Sequence, residues 1–169
     1  SGLKRIIDVG TGSGCIAISL AKMLPDARVT GTDISASALA VAEENAARHR
    51  VSVRFARADL FLPEQAARFD CVVSNPPYIA AADIDVLQPE VRREPRHALD
   101  GGKDGLDFYR RIIAQAPDHL TRGGYLVMEM GYGQSDAIKT IFMHAGKYTV
   151  QEVINDYAGI ERVIVARLM

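Results

Sequence analysis

The chain has 169 residues, with 20 basic against 21 acidic side chains for a formal net charge of -1, and 48% of it is hydrophobic. That size allows one compact domain. The charge balance excludes the general positive field that drives non-specific nucleic-acid binding, and no apolar run is long enough to cross a bilayer, so a soluble protein with no membrane partner is expected. Cys15 and Cys71 both lie in apolar stretches and read as reduced core residues. With no signal peptide visible, they point to the cytoplasm. Neither has a Cys or His at ligand spacing, so no metal is expected. His49, His97, His119 and His144 are scattered and read as surface residues.

In chain order, residues 4–9 read as a short buried strand, followed by a glycine-rich turn and a helix over 15–24. Residues 28–32 form the second expected strand, and 35–48 an Ala-rich helix that Ser35 can cap. Strands follow at 51–56 and 69–74, then a helix at 106–120 and a fifth strand at 124–130. The alternation is that of a parallel sheet covered by helices on both faces. After a helix at 134–145, strands at 148–155 and 162–168 are joined by D-Y-A-G-I-E, which is too short for a parallel crossover, so these two should pair antiparallel. Residues 79–105 are the one long stretch without clear periodicity, rich in Pro, Asp, Glu and Arg, as functional loops of compact domains often are. The abrupt start just before the first strand suggests an upstream segment that this chain lacks.

Asp8 to Gly14 reads D-V-G-T-G-S-G. Glycines at a strand-to-helix switch let a ligand approach the backbone and the first helical N–H groups. The dinucleotide spacing G-x-G-x-x-G would need its third glycine where Cys15 stands. Glycines at 10, 12 and 14 instead follow the pattern of S-adenosylmethionine enzymes, whose cofactor has no pyrophosphate. Asp8, Gly10, Thr11, Gly12, Ser13 and Gly14 are therefore cofactor candidates; the alternative is a turn that only permits tight helix packing. Asp33 ends the second strand about 20 residues beyond the glycines, where an acidic side chain can accept from both ribose hydroxyls, with Ile34 next to it. Its other role is a charge near the following helix, worth about 0.3 to 1 kcal/mol. Asp59 and Leu60, after the third strand, stand where such sheets contact an adenine, although an Asp there is also an ordinary turn residue.

The fourth strand runs into S-N-P-P-Y, residues 74–78. Prolines cannot continue a central strand. In a sheet ordered 3-2-1-4-5 the end of strand four lies beside the glycine loop, so Asn75 should face the cofactor, with the backbone after it stiffened by Pro76 and Pro77. The Asn75 side-chain oxygen and the Pro76 carbonyl can hold the two N–H groups of a planar amide or aniline-like nitrogen and aim its lone pair at a methyl group. Tyr78 can pack on the flat face of that group. The bonds strengthen as the nitrogen gains positive charge, so the reaction needs positioning and no general base. A purely structural turn is the alternative.

These residues, together with E-V-R-R-E-P-R-H-A-L at 90–99, G-G-K-D-G at 101–105 and D-Y-A-G-I-E-R-V at 156–163, give the chain a pattern that resembles the HemK-type release-factor glutamine methyltransferases along nearly its whole length. The resemblance implies a class I S-adenosylmethionine-dependent methyltransferase, a Rossmann-like α/β fold whose seven-stranded sheet has the order 3-2-1-4-5-7-6 with the last strand antiparallel. It implies residues 1–169 as the catalytic domain, with S-adenosyl-L-methionine as cofactor and S-adenosyl-L-homocysteine as product. The substrate it implies is the glutamine of the Gly-Gly-Gln loop of class 1 peptide chain release factors. A small helical domain ahead of the methyltransferase domain belongs to that family's pattern and is missing from this sequence. N-P-P-Y is shared with adenine-N6 DNA and guanine-N2 RNA methyltransferases, which makes a nucleic-acid amino group the alternative substrate. A cofactor-binding module without catalysis is the third reading. Glu90, Glu94 and Asp100 interleaved with Arg92, Arg93 and Arg96 favour a protein partner over a phosphate backbone.

Overall fold

The computed structural model describes residues 5–63, 68–89 and 93–169. Strands β1 (Arg5–Val9), β2 (Arg28–Asp33), β3 (Arg54–Arg57), β4 (Phe69–Ser74), β5 (Leu120–Glu129), β6 (Tyr148–Asn155) and β7 (Glu161–Leu168) form one sheet in the order β3-β2-β1-β4-β5-β7-β6. The first five are parallel; β7 runs antiparallel to both β5 and β6, which completes the expected topology.

Alternation along the strands decides which helix packs where. Ile7 and Val9 of β1 and Val72 of β4 join a large core with Ile112, Ile113 and Ala116 of α4 (Asp107–His119) and with Ile138 and Phe142 of α5 (Ser135–Ala145). Ile6 and Val29 turn to the other face and pack on Ala17, Leu20 and Ala21 of α1 (Cys15–Met23). Helix α2 (Ala36–His49) begins where expected, with the Ser35 hydroxyl accepting from the Ala38 N–H at 3.2 Å. Its buried positions are Leu39, Ala42 and Ala46, and the small Ala42 brings it close to the start of α1.

Several expectations shift. The third strand begins at Arg54 rather than 51, because the Val51 N–H is taken by the Ala46 carbonyl in the turn that ends α2. The fifth begins earlier, at Leu120, with an irregularity in its pairing between Phe69 and Cys71. Cys15 is exposed rather than in the core, since Ala17 and Ile18 occupy the inward side of the first turn of α1, whereas Cys71 is partly buried. The stretch 79–105 contains a 3-10 turn at Ile84–Val86 and a short helix α3 (Arg96–Leu99), while Glu90, Val91 and Arg92 of the charged segment fall outside the described residues. Arg96 pairs there with Asp85 and Asp100 at 3.3 and 3.7 Å, solvent-exposed contacts of at most about 1 kcal/mol.

The third glycine of the loop is set by packing. Gly14 has φ +84, and a Cβ there would lie 2.9 Å from the Ile18 Cδ1 and 3.1 Å from the Ala42 Cβ. Gly14→Ala should therefore push α2 away from α1 and destabilise the chain by about 1 to 3 kcal/mol in urea denaturation; unchanged stability would remove this reading.

Candidate functional site

The pairing Val9↔Ser74 between β1 and β4 brings the glycine loop and the N-P-P-Y turn together at the carboxyl edge of the sheet. The Ser74 hydroxyl donates to the Val9 carbonyl at 2.7 Å and fastens the two exits. On the other side of β1, the Thr32 carbonyl accepts from both the Gly10 and the Thr11 N–H at 2.8 Å.

Asp8 is buried at the start of the loop. One oxygen, Oδ2, accepts from the Thr11 hydroxyl at 2.6 Å and from the Ala17 N–H at 3.1 Å, but Oδ1 is buried without a partner. Burial pushes the carboxyl up from 3.8 to about 6, against the pull of those two donors, and the nearby Asp33 adds to the rise. Gly10 and Gly12 have open space where a Cβ would stand, so a ligand can approach the backbone there. An orphaned acceptor beside open backbone suits a cationic, polar cofactor end such as the aminoacyl part of S-adenosylmethionine. Ser13 is exposed, with its carbonyl accepting from Asn45 Nδ2 at 3.0 Å.

Asp33 accepts from the Gly12 N–H at 2.9 Å through Oδ2 and from the Ser35 N–H at 2.8 Å through Oδ1. It therefore clamps the glycine loop to the head of α2, while each oxygen keeps further acceptor capacity. Ile34 beside it is 55% exposed and offers an apolar face. Asp59 points into solvent and pairs with Arg111 at 2.7 Å. Leu60 has φ +71, joins the buried core, and its carbonyl accepts from the Thr32 hydroxyl at 2.7 Å. Leu60 thus supports β2 from beneath.

Asn75 is exposed, Pro76 buried, and Pro77 and Tyr78 half-buried. Across β4 and β5 the pairing Ser74↔Met128 sets Asn75 next to Glu129, a residue that sequence reasoning missed. Burial raises the Glu129 carboxyl, and the Arg162 charge and the neighbouring Asn75 side chain oppose the rise. Burial also raises the Tyr78 phenol, helped by Glu129 and countered by Arg162. The D-Y-A-G-I-E-R ending is explained here: Arg162 donates to the Met130 carbonyl at 3.1 Å and to Asp156 at 3.3 Å, and Asp156 also accepts from the Ala158 and Ile160 N–H groups. Among the described residues there is no group of three or more His, Cys, Asp or Glu that could hold a metal, and no helix is long and apolar enough to cross a membrane.

Residues 2–103 match the family model described as methyltransferase small domain. The chain is 49% identical over 96% of its length to a release factor glutamine methyltransferase of Geobacter sulfurreducens, and 46% identical over 95% to one of Gloeobacter violaceus; it spans 57% of the length of each. A methyltransferase structure from Pyrococcus furiosus shares the fold at a TM-score of 0.73 and 19% identity, over 98% of this chain and 75% of that one. A T. thermophilus 16S rRNA N2 G1207 methyltransferase, solved with AdoMet and guanosine, does so at 0.67 and 17%, over 98% of this chain and 38% of that one.

The Asp8 carboxyl of the ligand-free chain should titrate near pH 6 in a carbon NMR titration. Because its folded value, about 6, is raised above 3.8, the folded chain keeps a proton that the unfolded chain releases between those values. Its contribution to stability is then fullest below about pH 4 and declines as pH rises through about 6. A midpoint in the ordinary carboxylate range would refute the buried, half-partnered state.

Proposed function

The chain belongs to the methyltransferase small domain family, and from that premise we propose that it methylates the side-chain amide nitrogen of the glutamine in the Gly-Gly-Gln loop of class 1 release factors, so modulating translation termination. The observation that carries this reading is the Asn75-Pro76 turn at the edge where β1 and β4 meet, in a chain 42 to 49% identical to relatives named release factor glutamine methyltransferase. Asp8, the loop from Gly10 to Gly14 and Asp33 would hold S-adenosylmethionine, with Ile34 against its base and Asp59 at the rim, while Leu60, buried in the core, supports β2 instead of walling the ring. When bound, the cofactor supplies an electrophilic methyl group.

The chain's own residues then position the acceptor. The Asn75 side-chain oxygen and the Pro76 carbonyl take the two N–H groups of the glutamine amide, and Tyr78 covers its flat face. As that nitrogen gains positive charge its N–H groups become stronger donors, so both bonds tighten toward the transition state. The methylated nitrogen is acidic enough to lose its proton to water.

One feature favours the alternative nucleic-acid substrate. Arg5, Lys22, Arg28, Arg50 and Arg54 line a cleft of about 660 Å³. It lies at the amino edge of the sheet, opposite Asn75, since Arg5, Arg28 and Arg54 are the first residues of three parallel strands. Lys22 also sits in the last turn of α1, and Arg50 caps the end of α2, where cations complement the helix dipole.

Incubation with S-adenosylmethionine and an intact release factor should place one methyl group on the loop glutamine, read by peptide mass spectrometry, and none on a Gln→Ala release factor or on an oligonucleotide. Methyl transfer to the oligonucleotide alone would select the alternative. Asn75→Ala should cut turnover by roughly 10²-fold or more with cofactor affinity retained; full turnover in that variant would refute the mechanism. Asp33→Ala should weaken cofactor binding in calorimetry by roughly 1.5 to 3 kcal/mol through lost charge-assisted hydrogen bonds.

A further inference from the structure

Two features remain outside this account: the G-G-K-D-G run at 101–105 and the residue that precedes α5, Gln134. Both meet at the back of the N-P-P-Y turn. Beyond Tyr78 the chain runs beside the glycine segment, with a parallel bridge between Ile79 and Asp100. The Ile79 N–H donates to the Leu99 carbonyl at 3.0 Å and the Gly101 N–H to the Ile79 carbonyl at 2.8 Å. The approach leaves no room for side chains. A Cβ on Gly101 would lie 2.9 Å from the Pro77 carbonyl oxygen, one on Gly105 would overlap the Tyr78 carbonyl, and one on Gly131 would lie 2.9 Å from the Tyr78 ring.

Gln134 fills the junction. Its Oε1 accepts from the Gly131 N–H at 2.9 Å, and its Nε2 donates to the Tyr78 carbonyl at 2.9 Å and to the Gly105 carbonyl at 3.4 Å. Its backbone is held at the same time, by the Gln134 N–H on the Gly131 carbonyl at 3.3 Å and by the Ile138 N–H on the Gln134 carbonyl at 3.0 Å. One neutral amide thus joins the exit of β4, the exit of β5 and the glycine segment at 101–105. Two carbonyl oxygens converge on one nitrogen and would repel each other without a donor between them. The Tyr78 carbonyl lies two residues beyond the Pro76 carbonyl, with Pro77 and its fixed φ between, so displacement of one is transmitted to the other.

We infer that Gln134 is a positioning residue for methyl transfer, fixing the Asn75 and Pro76 acceptors through the Tyr78 carbonyl; the catalytic part of this rests on the function proposed above. The side chain has to donate as well as accept. Gln134→Met keeps the bulk and loses all three bonds. Gln134→Glu keeps the bond from Gly131 but, when ionised, sets a carboxylate against two carbonyls; protonated, it donates again.

The test uses this chain with an intact release factor. Both variants should lose roughly 10 to 100-fold in kcat, with the dissociation constant for S-adenosylmethionine within about twofold of wild type. Gln134→Glu should regain activity as pH is lowered from about 8 to about 6, a trend absent in wild type. Amide exchange at Ile79 and Gly101 should accelerate in both variants, and at Gly131 in Gln134→Met only, while that at Ile7 in β1 does not. Wild-type kcat in both variants, or loss of kcat and cofactor affinity in parallel, would overturn the inference. Should the Met variant fail to fold, the pH trend of the Glu variant decides. If wild type itself leaves the glutamine unmethylated, the proposed function fails, and local exchange alone then decides whether Gln134 holds the turn.

Discussion

The adjacency of two parallel strands that are far apart in sequence, β1 and β4, is what everything at the carboxyl edge depends on. Val9 and Ser74 stand side by side, and a hydrogen bond from the Ser74 hydroxyl fastens their ends. Because both strands are central and covered on both faces, a slip of one residue would carry Ile7, Val9 and Val72 out of the main core. Register is therefore fixed by packing well below the site, and the site inherits it. The glycine loop and the N-P-P-Y turn require no contact of their own to find each other.

On that fixed edge, a few carboxylates carry opposed tasks. Asp8 is held in the interior with one oxygen unsatisfied, a costly arrangement for a charge, and the rise of its pKa expresses that cost. Asp33 lies a strand away and has a backbone N–H on each oxygen, so it acts as a clamp on the loop. Glu129 is intermediate: desolvated, with the Arg162 charge and the neighbouring Asn75 side chain pulling against the rise. Sequence spacing treats all three as acidic residues near strand ends. Burial and local donors separate them.

How much could be read in advance follows from the same physics. The central strands β1 and β4 read as short apolar runs, and β4 falls at 69–74 as expected. The edge strand β3 was harder, because the V-S-V alternation before it belongs to the turn closing α2. The start of β5 is hidden by Arg122, Gly123 and Gly124, which signal a turn although the chain is already pairing with Phe69. The placement of Asp8, Gly10, Gly12, Asp33 and Asn75 at the carboxyl edge is legible because each stands at or just beyond the end of a recognisable strand. That of Gln134 and Glu129 is not, since their partners lie 56 residues away at Tyr78 and across a strand pairing at Asn75. The only local hint was glycine at 131, where a side chain would strike Gln134.

The three glycines at 10, 12 and 14 show why a motif is not a set of equivalent positions. Gly10 and Gly12 face open space, whereas Gly14 has its missing side chain replaced by Ile18 and Ala42. The first two leave the surface open, and the third lets two helices meet. The same division recurs on the neighbouring turn, where Gly101, Gly105 and Gly131 admit backbone against backbone behind Tyr78 and leave the opposite side, bearing Asn75, to solvent. In both places glycine rigidifies the structure indirectly. By removing side chains it lets carbonyls and amides approach until fixed donors such as Gln134 and fixed acceptors such as Asp33 can hold them. An edge built this way presents hydrogen-bonding atoms whose positions are set before any ligand arrives, which is what a reaction that depends on positioning requires.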